Sequence, residues 1–537
     1  FFVHLMPTNT SIEASMRHSP GKSDVFTREE VAKHNTPQSS WIIVGNYVYD
    51  ITKFADMHPG GEQIIRQFAG TDATESFYDL HRHSVIEKYH PRLCIGKVND
   101  SKYDEFESAE NGDLSSVPYA EPTFWRDGWS SPYYTESHHN YRKTLRKWLF
   151  DNIRDECMAL GKADKVPPVE LNQRVGRAGL YAARLGPGPH MKGRTIMGVR
   201  GEDFDVFHEL ITHEEWARIC GNPAVQDGFG TGLVIGLPPV MEFGSPEIAT
   251  RVGRECLDGD KRICLAISEP FAGSDVANIK TTARLSEDGK HYIVSGIKKW
   301  ITNGTFCEYF VTAVRTGGAG IGGISLLLIE RSEGLETKPI PTSYGSAAGT
   351  AYVIMEDVKV PVENLLGSEN GGFQCIMANF NHERWFIVGL ISSSCRAITE
   401  ECFKWCKQRK VFGKPLINQP VIRQKLANMI AQIESLHCWL ESLTYQLQQM
   451  PHEQQFFQLG GPIALLKMYA TRISYSISDD ACQIFGGRAI TKTGMGGFVE
   501  AFQRSIKYGA ILGGSEEVMA DLGVRLASRA FPTNAKL

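Results

Sequence analysis

Residues 131–530 change periodicity twice, and this order constrains the fold more than any other feature of the chain. Helical spacing fills residues 131–260, as in "YRKTLRKWLFDNIRDECMAL", and it returns over residues 371–530. Between them, residues 261–370 contain strand-like runs such as "HYIVSGIKKWITN", "EYFVTAVRT" and "GISLLLIE". Helices followed by strands and then by helices predict a helical enzyme with a β domain inserted in its middle.

The N-terminal part of the chain has a different organisation. Residues 23–98 predict one small mixed domain, because "SWIIVGNYVYDIT" alternates like two short strands with a turn at Gly45 and Asn46. Residues 99–130 are polar and acidic without periodicity, which predicts a flexible acidic linker. The chain is therefore expected to be multidomain.

Composition excludes several classes of protein. The chain has 537 residues and a formal net charge of −4, which argues against a nucleic-acid binder. No apolar run approaches the ~18 residues that a membrane-spanning helix needs. The twelve cysteines are scattered without a C-x-x-C pair, which indicates reduced thiols and no zinc site.

The first chemical motif is a pair of histidines in "FADMHPGGEQIIRQFAGTDATESFYDLHRHS". His58 lies on a Pro-Gly-Gly turn, and His81 follows a helical segment. Two facing imidazoles ligate a haem iron on both axes and leave no open site for oxygen chemistry. A turn histidine and a surface His-Arg-His are the simpler alternative. With Trp41, "VYDITKF" and "DATESF", however, the stretch resembles cytochrome b5, which implies an α+β domain that binds haem b.

The second haem ligand has two candidates. In ordinary cytochrome b5 the ligand belongs to a His-Ser pair, which favours His83. The haem domain of flavocytochrome lactate dehydrogenases has the pattern "LH....VI.KY", which "LHRHSVIEKY" matches without a gap. We therefore favour His81 as the second iron ligand, with His83 as the alternative.

Two further motifs lie in the strand-like region, "LAISEPFAGSDVANIKTTA" and "GIKKWITNG". Small residues and hydroxyls at a strand end let backbone amides reach a flavin ring. Ser268 and Thr302 are suited to hydrogen-bond that ring, and Trp300 is suited to pack against its edge. By themselves, these are also ordinary residues of a β domain.

The motifs "RKVFGKPL" and "QIFGGRAI" complete an ordered set that resembles the acyl-CoA dehydrogenases over residues 131–530. The resemblance implies a helical N-domain, a middle β-barrel-like domain and a C-terminal helical bundle. It also implies FAD bound between subunits of a homodimer or homotetramer. It places Ile267, Ser268, Trp300 and Thr302 at the flavin ring. It places Arg409, Phe412, Gln483 and Gly487 at the pyrophosphate and adenosine end of a neighbouring subunit's FAD. Ser274 and Ser515 complete the cofactor-binding set.

The catalytic base is not where most of this family has it. Aligning "VEAFQRSIKYGAILGGS" places Gly513 at the position of the usual glutamate, and Glu516 and Glu517 fall on the helix that follows. In the isovaleryl-CoA and long-chain branches the base is instead the glutamate of a Glu-Arg sequence on an earlier helix. Glu383 and Arg384 match this sequence.

Glu383 is therefore the predicted base, and Gly513 is predicted to clear space for its carboxylate. The competing interpretation is a helix-surface ion pair. No lysine or arginine occupies positions 379, 380, 386 or 387, which weakens that alternative.

The resemblance implies the reaction. Glu383 would remove the alpha proton of an acyl-CoA thioester while the beta hydrogen leaves as hydride to the flavin, giving trans-2-enoyl-CoA. The backbone N–H of Gly513 would hold the thioester oxygen. Electrons would pass to the fused b-type haem and on to an unknown acceptor. The alternative is a non-catalytic acyl-CoA-binding or sensing flavoprotein with the haem domain as a docking module.

The last three residues, Ala535, Lys536 and Leu537, resemble the small-basic-leucine peroxisomal signal. The expected location is the peroxisome, with the mitochondrial matrix as the alternative.

Overall fold

A computed structural model describes residues 24–100, 102–103, 112–532 and 534. The C-terminal tripeptide of the targeting prediction lies outside these residues. The chain divides into two compact units, a small one that holds residues 24–100 and a large one that holds nearly all residues from 112 onwards. Among the described residues, no helix combines the length and the apolar character that a bilayer crossing requires.

The small unit is a five-stranded sheet with four short helices, as the sequence pattern predicted. Its sheet has the order β1-β5-β4-β3-β2. The strands are β1 (Val25–Phe26), β2 (Asn35–Thr36), β3 (Ser39–Val44), β4 (Tyr47–Asp50) and β5 (Cys94–Val98). The helices are α1 (Arg28–Ala32), α2 (Glu62–Arg66), α3 (Thr74–Leu80) and α4 (His83–Leu93). The predicted turn between β3 and β4 is confirmed, and Gly45 there adopts the left-handed φ of +66°.

The prediction of a flexible linker over 99–130 is wrong for residues 112–126, whereas residues 127–130 are exposed. Glu121 is only 3% exposed and forms an ion pair of 2.6 Å with Arg146, while Trp125 is also buried. The acidic composition that suggested solvation instead supplies a partner for a buried cation. This segment is therefore packed into the large unit.

The first part of the large unit is helical. It contains α5 (Glu136–Asn152), α6 (Arg154–Ala163), α7 (Val169–Arg177), α8 (Leu180–Ala183), α9 (Val206–Cys220), α10 (Pro223–Gly228), α11 (Thr231–Phe243) and α12 (Pro246–Leu257). A short hairpin, β6 (Thr195–Ile196) and β7 (Val199–Arg200), precedes α9. Thirteen residues of α9 are buried, so this helix runs through the core.

The middle of the large unit is an eight-stranded sheet. Its main path has the order β13-β14-β10-β9-β11-β12-β15, and β8 pairs with β11. The strands are β8 (Ile263–Ala266), β9 (Thr282–Leu285), β10 (His291–Ile301), β11 (Tyr309–Arg315), β12 (Ile324–Glu330), β13 (Leu335–Pro339), β14 (Ala351–Pro361) and β15 (Leu365–Leu366). The register of β10 against β14 shifts between Lys298 and Ile301, which bends the strand where the predicted flavin residues begin.

The C-terminal part returns to long helices, so the predicted order of helices, strands and helices is confirmed. It contains α13 (Gly372–Ala378), α14 (Phe380–Gln408), α15 (Pro420–Gln449), α16 (His452–Phe485), α17 (Gly497–Gly509) and α18 (Glu516–Arg529). The two-stranded hairpin β16 (Lys410–Val411) and β17 (Lys414–Pro415) separates α14 from α15. Helices α13 to α16 contribute buried apolar side chains to a core that also includes residues of α9.

Candidate active site and cofactor sites

In the small unit, the structure places His58 and His81 next to each other, with their ring planes tilted by 54°. Their ring centroids are 6.0 Å apart. His58 Nδ1 donates to the carbonyl of Gly61 at 3.2 Å, and His81 Nδ1 donates to the carbonyl of Phe77 at 3.1 Å. Each bond holds the proton on Nδ1, so both Nε2 lone pairs remain available for a metal. Burial lowers the pKa of His81, which also favours the neutral, ligating form.

His83 has a different partner. Its Nδ1 lies 2.8 Å from the hydroxyl of Tyr78, and its ring stacks on the ring of that tyrosine. The geometry therefore favours His81 as the second ligand. Three large apolar side chains of the segment that carries the two histidines are about half exposed, and a porphyrin ring would cover such surface: Met57, Ile64 and Leu80. These residues fit a haem.

In the large unit, the residues predicted to face a flavin ring are neighbours. Ile267 and Ser268 directly follow β8, and the amide of Lys299 donates to the carbonyl of Ser268 at 2.9 Å. Trp300 therefore lies beside Ser268, with a left-handed φ of +68° and a half-exposed side chain. Strained backbone of this kind is common at ligand sites. Thr302 directly follows the end of β10.

A buried ion pair supports this strand end. Lys298 Nζ donates to Glu269 at 2.8 Å and to the carbonyl of Ile267 at 3.0 Å. Burial lowers the pKa of Lys298 to about 8, and the carboxylate of Glu269 opposes that shift. Thr302 also contacts Tyr508 of α17, so the predicted ring site lies next to the helix that leads to Gly513.

The residues assigned to the pyrophosphate and adenosine end are accessible at the surface. Phe412 is 95% exposed with a φ of +51°, and Gln483 and Gly487 are exposed at the end of α16. An apolar ring with so little cover in one chain suits a contact with another molecule. Arg409 is partly exposed and Ser274 is exposed. Ser515 is the N-cap of α18, where its hydroxyl accepts from the amide of Val518 at 3.5 Å.

Glu383 on α14 lies against the turn that contains Gly513. A Cβ atom added to Gly513 would be 3.5 Å from Glu383 Oε1 and 2.9 Å from Ile387 Cδ1. The backbone of Gly513 has a φ of +66°, which favours glycine. The space that glycine leaves at position 513 is thus the space beside the carboxylate of Glu383.

Two buried cations hold this double-glycine turn. Arg384 Nε donates to the carbonyl of Gly513 at 3.2 Å, and Lys467 Nζ donates to the carbonyl of Gly514 at 2.6 Å. Lys467 is fully buried on α16. Because both cations bond to backbone, no described residue donates a hydrogen bond to the Glu383 carboxylate. The backbone N–H of Gly513 has no described acceptor either.

The electrostatics of Glu383 follow from this arrangement. The residue is 9% exposed, and burial raises its pKa to about 6. The charges of Arg384, Lys467 and His382 oppose that rise, so the pKa of the carboxyl stays below 7 although none of these cations bonds to it directly. Glu383 is therefore ionised at pH 7 and has free lone pairs, which is the state that a general base requires.

The other acids of the turn do not compete for this role. Glu516 begins α18 and forms an ion pair of 2.7 Å with Arg472 Nε, and Glu517 is exposed beside it. Both lie in the first turn, where a negative charge stabilises the helix N-terminus.

Sequence analysis missed the neighbours of the base. His382 Nε2 bonds to Glu209 Oε1 at 2.5 Å, and Glu209 is buried on α9. Burial lowers the pKa of His382, but the charge of Glu209 overcomes it, and the net shift is upward. Lys467 and Glu209 had no signal, because their partners are more than 40 residues away in the chain.

Comparison with known proteins agrees with both predicted cofactors, FAD and haem. Residues 27–99 match the family model described as cytochrome b5-like haem/steroid binding domain. Residues 264–358 and 370–527 match the middle domain and the C-terminal domain of acyl-CoA dehydrogenase.

Two fungal proteins and one solved structure are similar over most of the dehydrogenase part. The acyl-CoA dehydrogenase apdG of Emericella nidulans is 39% identical over 79% of this chain and 98% of its own length. The acyl-CoA dehydrogenase AFT10-1 of Alternaria alternata is 38% identical over 76% of this chain and 95% of its own. A putative acyl-CoA dehydrogenase from Mycobacterium smegmatis has a TM-score of 0.66 at 28% identity, covering 74% of this chain and 99% of its own.

Proposed function

Because this chain belongs to the acyl-CoA dehydrogenase family and carries a cytochrome b5-like domain, we propose that it converts an acyl-CoA thioester to the trans-2-enoyl-CoA with Glu383 as the base. The protein is an FAD- and haem-binding oxidoreductase. The single observation that carries the proposal is the Glu383 carboxylate, which is buried and ionised and lies 3.5 Å from the Cβ position of Gly513 without a described hydrogen-bond donor.

The residues of this chain perform three tasks in the proposed reaction. Glu383 takes the alpha proton onto a carboxylate oxygen that no other group occupies. The N–H of Gly513 donates to the thioester oxygen and stabilises the negative charge that develops there. Lys467 and Arg384 hold the turn through the carbonyls of Gly514 and Gly513, so the N–H keeps its direction while the proton moves.

The residues at the strand ends hold the cofactor. Ile267, Ser268, Trp300 and Thr302 would hold the flavin ring. Arg409, Phe412, Gln483 and Gly487 would hold the remainder of the FAD of a neighbouring subunit. Bound FAD supplies the acceptor for the hydride that leaves the beta carbon. The burial of Glu383 keeps water from the carboxylate during the proton transfer.

The experiment compares Glu383→Gln with Glu516→Gln in the full chain. A neutral amide cannot accept a proton, so Glu383→Gln should bind FAD and acyl-CoA yet lose about a thousandfold in the rate of flavin bleaching. Glu516→Gln removes a similar carboxyl from the same region and should retain the rate. A near-normal rate in Glu383→Gln together with an inactive Glu516→Gln would show that the base is misassigned. Normal acyl-CoA binding without bleaching in the wild type would instead indicate a sensor.

The proposal has a second part, in which electrons pass from the reduced flavin to the haem domain. A haem held by two histidines supplies one-electron transfer without an open position for oxygen. The support is the tautomer of His58 and His81, whose Nδ1 atoms both donate to backbone carbonyls and leave both Nε2 lone pairs available for an iron.

Anaerobic addition of acyl-CoA tests this route. The flavin should bleach first and the haem should be reduced second, with a rate independent of protein concentration because both groups belong to one chain. His58→Ala should abolish the haem signal and leave flavin bleaching intact, and His83→Ala should retain haem. A haem that stays oxidised with excess substrate and without oxygen would contradict electron transfer within the chain.

A further inference from the structure

Arg184 is a fully buried cation that forms no ion pair with an acid among the described residues. It follows α8 and is 0% exposed. Its Nη1 donates to the carbonyl of Phe229 at 2.9 Å. Among the described residues, none accepts a hydrogen bond from its Nε or its Nη2. A buried guanidinium without a counter-ion is costly to a fold, so these two donors require an explanation.

The unsatisfied atoms form one edge of the guanidinium. Nε and Nη2 lie side by side and match the two oxygens of a carboxylate. Arg146 shows this use in the same unit, since its Nε and Nη2 donate to the two oxygens of Glu215 at 2.6 Å each. Arg184 presents the same edge, but none of the described residues supplies a carboxylate for it.

The nearby acid is already engaged. The Asp227 carboxyl accepts from the hydroxyl of Thr231 at 2.6 Å and from that of Tyr344 at 2.5 Å. Burial lowers the pKa of Arg184, and the charge of Asp227 opposes this only weakly. An arginine stays protonated even so, which leaves a net positive charge in the interior.

A second donor adjoins the first. The guanidinium of Arg184 lies over the ring of Trp216, 5.1 Å from the centroid. Trp216 Nε1 is buried, and no acceptor for it exists in the described part of the chain. Two neighbouring buried side chains thus present N–H groups without acceptors, which indicates a site for an oxygen-bearing group.

The helix that carries Trp216 packs against the helix that carries the base. His213 lies one turn before Trp216 on α9, and its ring is 5.2 Å from that of Phe386. Phe386 is in turn three residues after Glu383 on α14, one helical turn away. A side-chain layer therefore separates the proposed base from the unmatched cation.

We propose that Arg184 and Trp216 bind a carboxylate at the far end of the substrate's acyl chain, so that the preferred substrates are ω-carboxyacyl-CoA thioesters. This inference rests on the proposed dehydrogenation, whose site it extends. The carboxylate takes the free edge of Arg184 and neutralises the charge that the fold leaves unpaired.

The test uses the full chain with FAD and haem. It compares ω-carboxyacyl-CoA thioesters with plain acyl-CoA thioesters of the same carbon number, with flavin bleaching and kcat/KM as readouts. At the best length, the ω-carboxy substrate should exceed the plain one about 100-fold, because a plain chain leaves the buried donors unpaired.

Three variants locate this preference. In Arg184→Lys, which keeps the charge but loses the paired edge, the ratio of the two kcat/KM values should fall at least about tenfold. Trp216→Phe, which keeps an aromatic ring without the N–H, should lower the ratio by less. Arg142→Lys is the matched control, because Arg142 is also buried and stacks on Trp125, and its ratio should equal that of the wild type. A ratio is insensitive to the fraction of protein that folds.

Different results would overturn the carboxylate site and the proposed dehydrogenase activity. If the wild type accepts plain thioesters as well as ω-carboxy ones at every length, or if Arg184→Lys retains the preference, the carboxylate site is overturned and the dehydrogenase proposal stands. If neither series bleaches the flavin, the dehydrogenase proposal fails and the carboxylate site fails with it.

Discussion

Glu121 and Glu383 are both buried carboxylates of the large unit, and their surroundings hold them in opposite ways. Arg146 donates to Glu121 at 2.6 and 3.1 Å, and Arg218 lies 3.3 Å away. The cations near Glu383 bond instead to the backbone of the double-glycine turn. Burial alone would raise the pKa of both acids, yet the pKa of Glu121 falls to about 2 whereas that of Glu383 rises to about 6.

The difference separates a structural acid from a chemical one. A carboxylate saturated by guanidinium bonds cannot take a proton near neutral pH, but it anchors the segment before α5. A carboxylate near cations that do not touch it keeps its charge and its lone pairs. Direct pairing, rather than burial or the number of cations nearby, decides which role each acid has.

The largest effect on stability is expected at the paired site. Arg146→Met would leave Glu121 and Glu215 buried without their cation, so the free energy of unfolding should fall by about 3 kcal/mol or more. Urea unfolding measures this. Arg174→Met, which removes an exposed ion pair with Glu156, is the control and should cost under about 1 kcal/mol. Equal losses in the two variants would contradict the comparison.

The pH dependence of the paired acid has a definite sign. Because its folded pKa of about 2 is below the unfolded value of 4.5, Glu121 contributes stability above pH 4.5 that is lost as the pH falls towards 2. The advantage of the wild type over Glu121→Gln should therefore shrink by about 3 kcal/mol across that window. If the stability difference between the wild type and Glu121→Gln stays constant between about pH 5 and about pH 3, the pairing with Arg146 is refuted.

The contribution of Glu383 to stability should depend on pH in the opposite direction. Its folded pKa of about 6 exceeds the unfolded 4.5, so its contribution is present below pH 4.5 and lost as the pH rises through 6. Glu383→Gln should then be more stable than the wild type at pH 7 by up to about 2 kcal/mol, and the gap should close on acidification. The dehydrogenation rate of the wild type should rise with pH through about 6. A dehydrogenation rate that does not change between about pH 5 and about pH 8, a range that spans the pKa of Glu383, would exclude Glu383 as the titrating base.

The smallest expected effect concerns the space beside the base. Gly513→Ala should cost about 1 kcal/mol for the left-handed backbone, and further for the contact with Ile387. Gly289→Ala is a matched control, because Gly289 has a φ of +67° and nothing within 4 Å of its Cβ position. Only the substitution at 513 should slow dehydrogenation. Equal rates in both variants would mean that the space at 513 is not needed.

Sequence analysis predicted the domain order and both cofactor classes from motifs whose chemistry is local. "HPGG" and "LHRHS" carry their ligands within 30 residues of each other, and the strand ends "AISEP" and "KWITN" need only a sheet to bring them together. The choice between His81 and His83 needed the structure, because it depends on which ring lies next to His58 and which ring stacks on Tyr78.

The linker shows where composition misleads. An acidic stretch without periodicity is typical of a solvated segment, and Glu121 looks no different from its exposed neighbours in the sequence. Its role depends on Arg146, which is 25 residues away on a helix whose orientation the sequence does not specify.

The sequence by itself determined the element order, the haem and flavin motifs, and a glutamate and a glycine at complementary positions, since periodicity and motif spacing are properties of neighbouring residues. The tertiary structure alone decided which buried charges meet. Arg146 finds two carboxylates, Lys467 finds a backbone carbonyl, and Arg184 finds no acid among the described residues. The physical reason is that pairing in the interior depends on angstrom-scale contacts between distant segments, and those contacts set both the pKa of an acid and the cost of a cation.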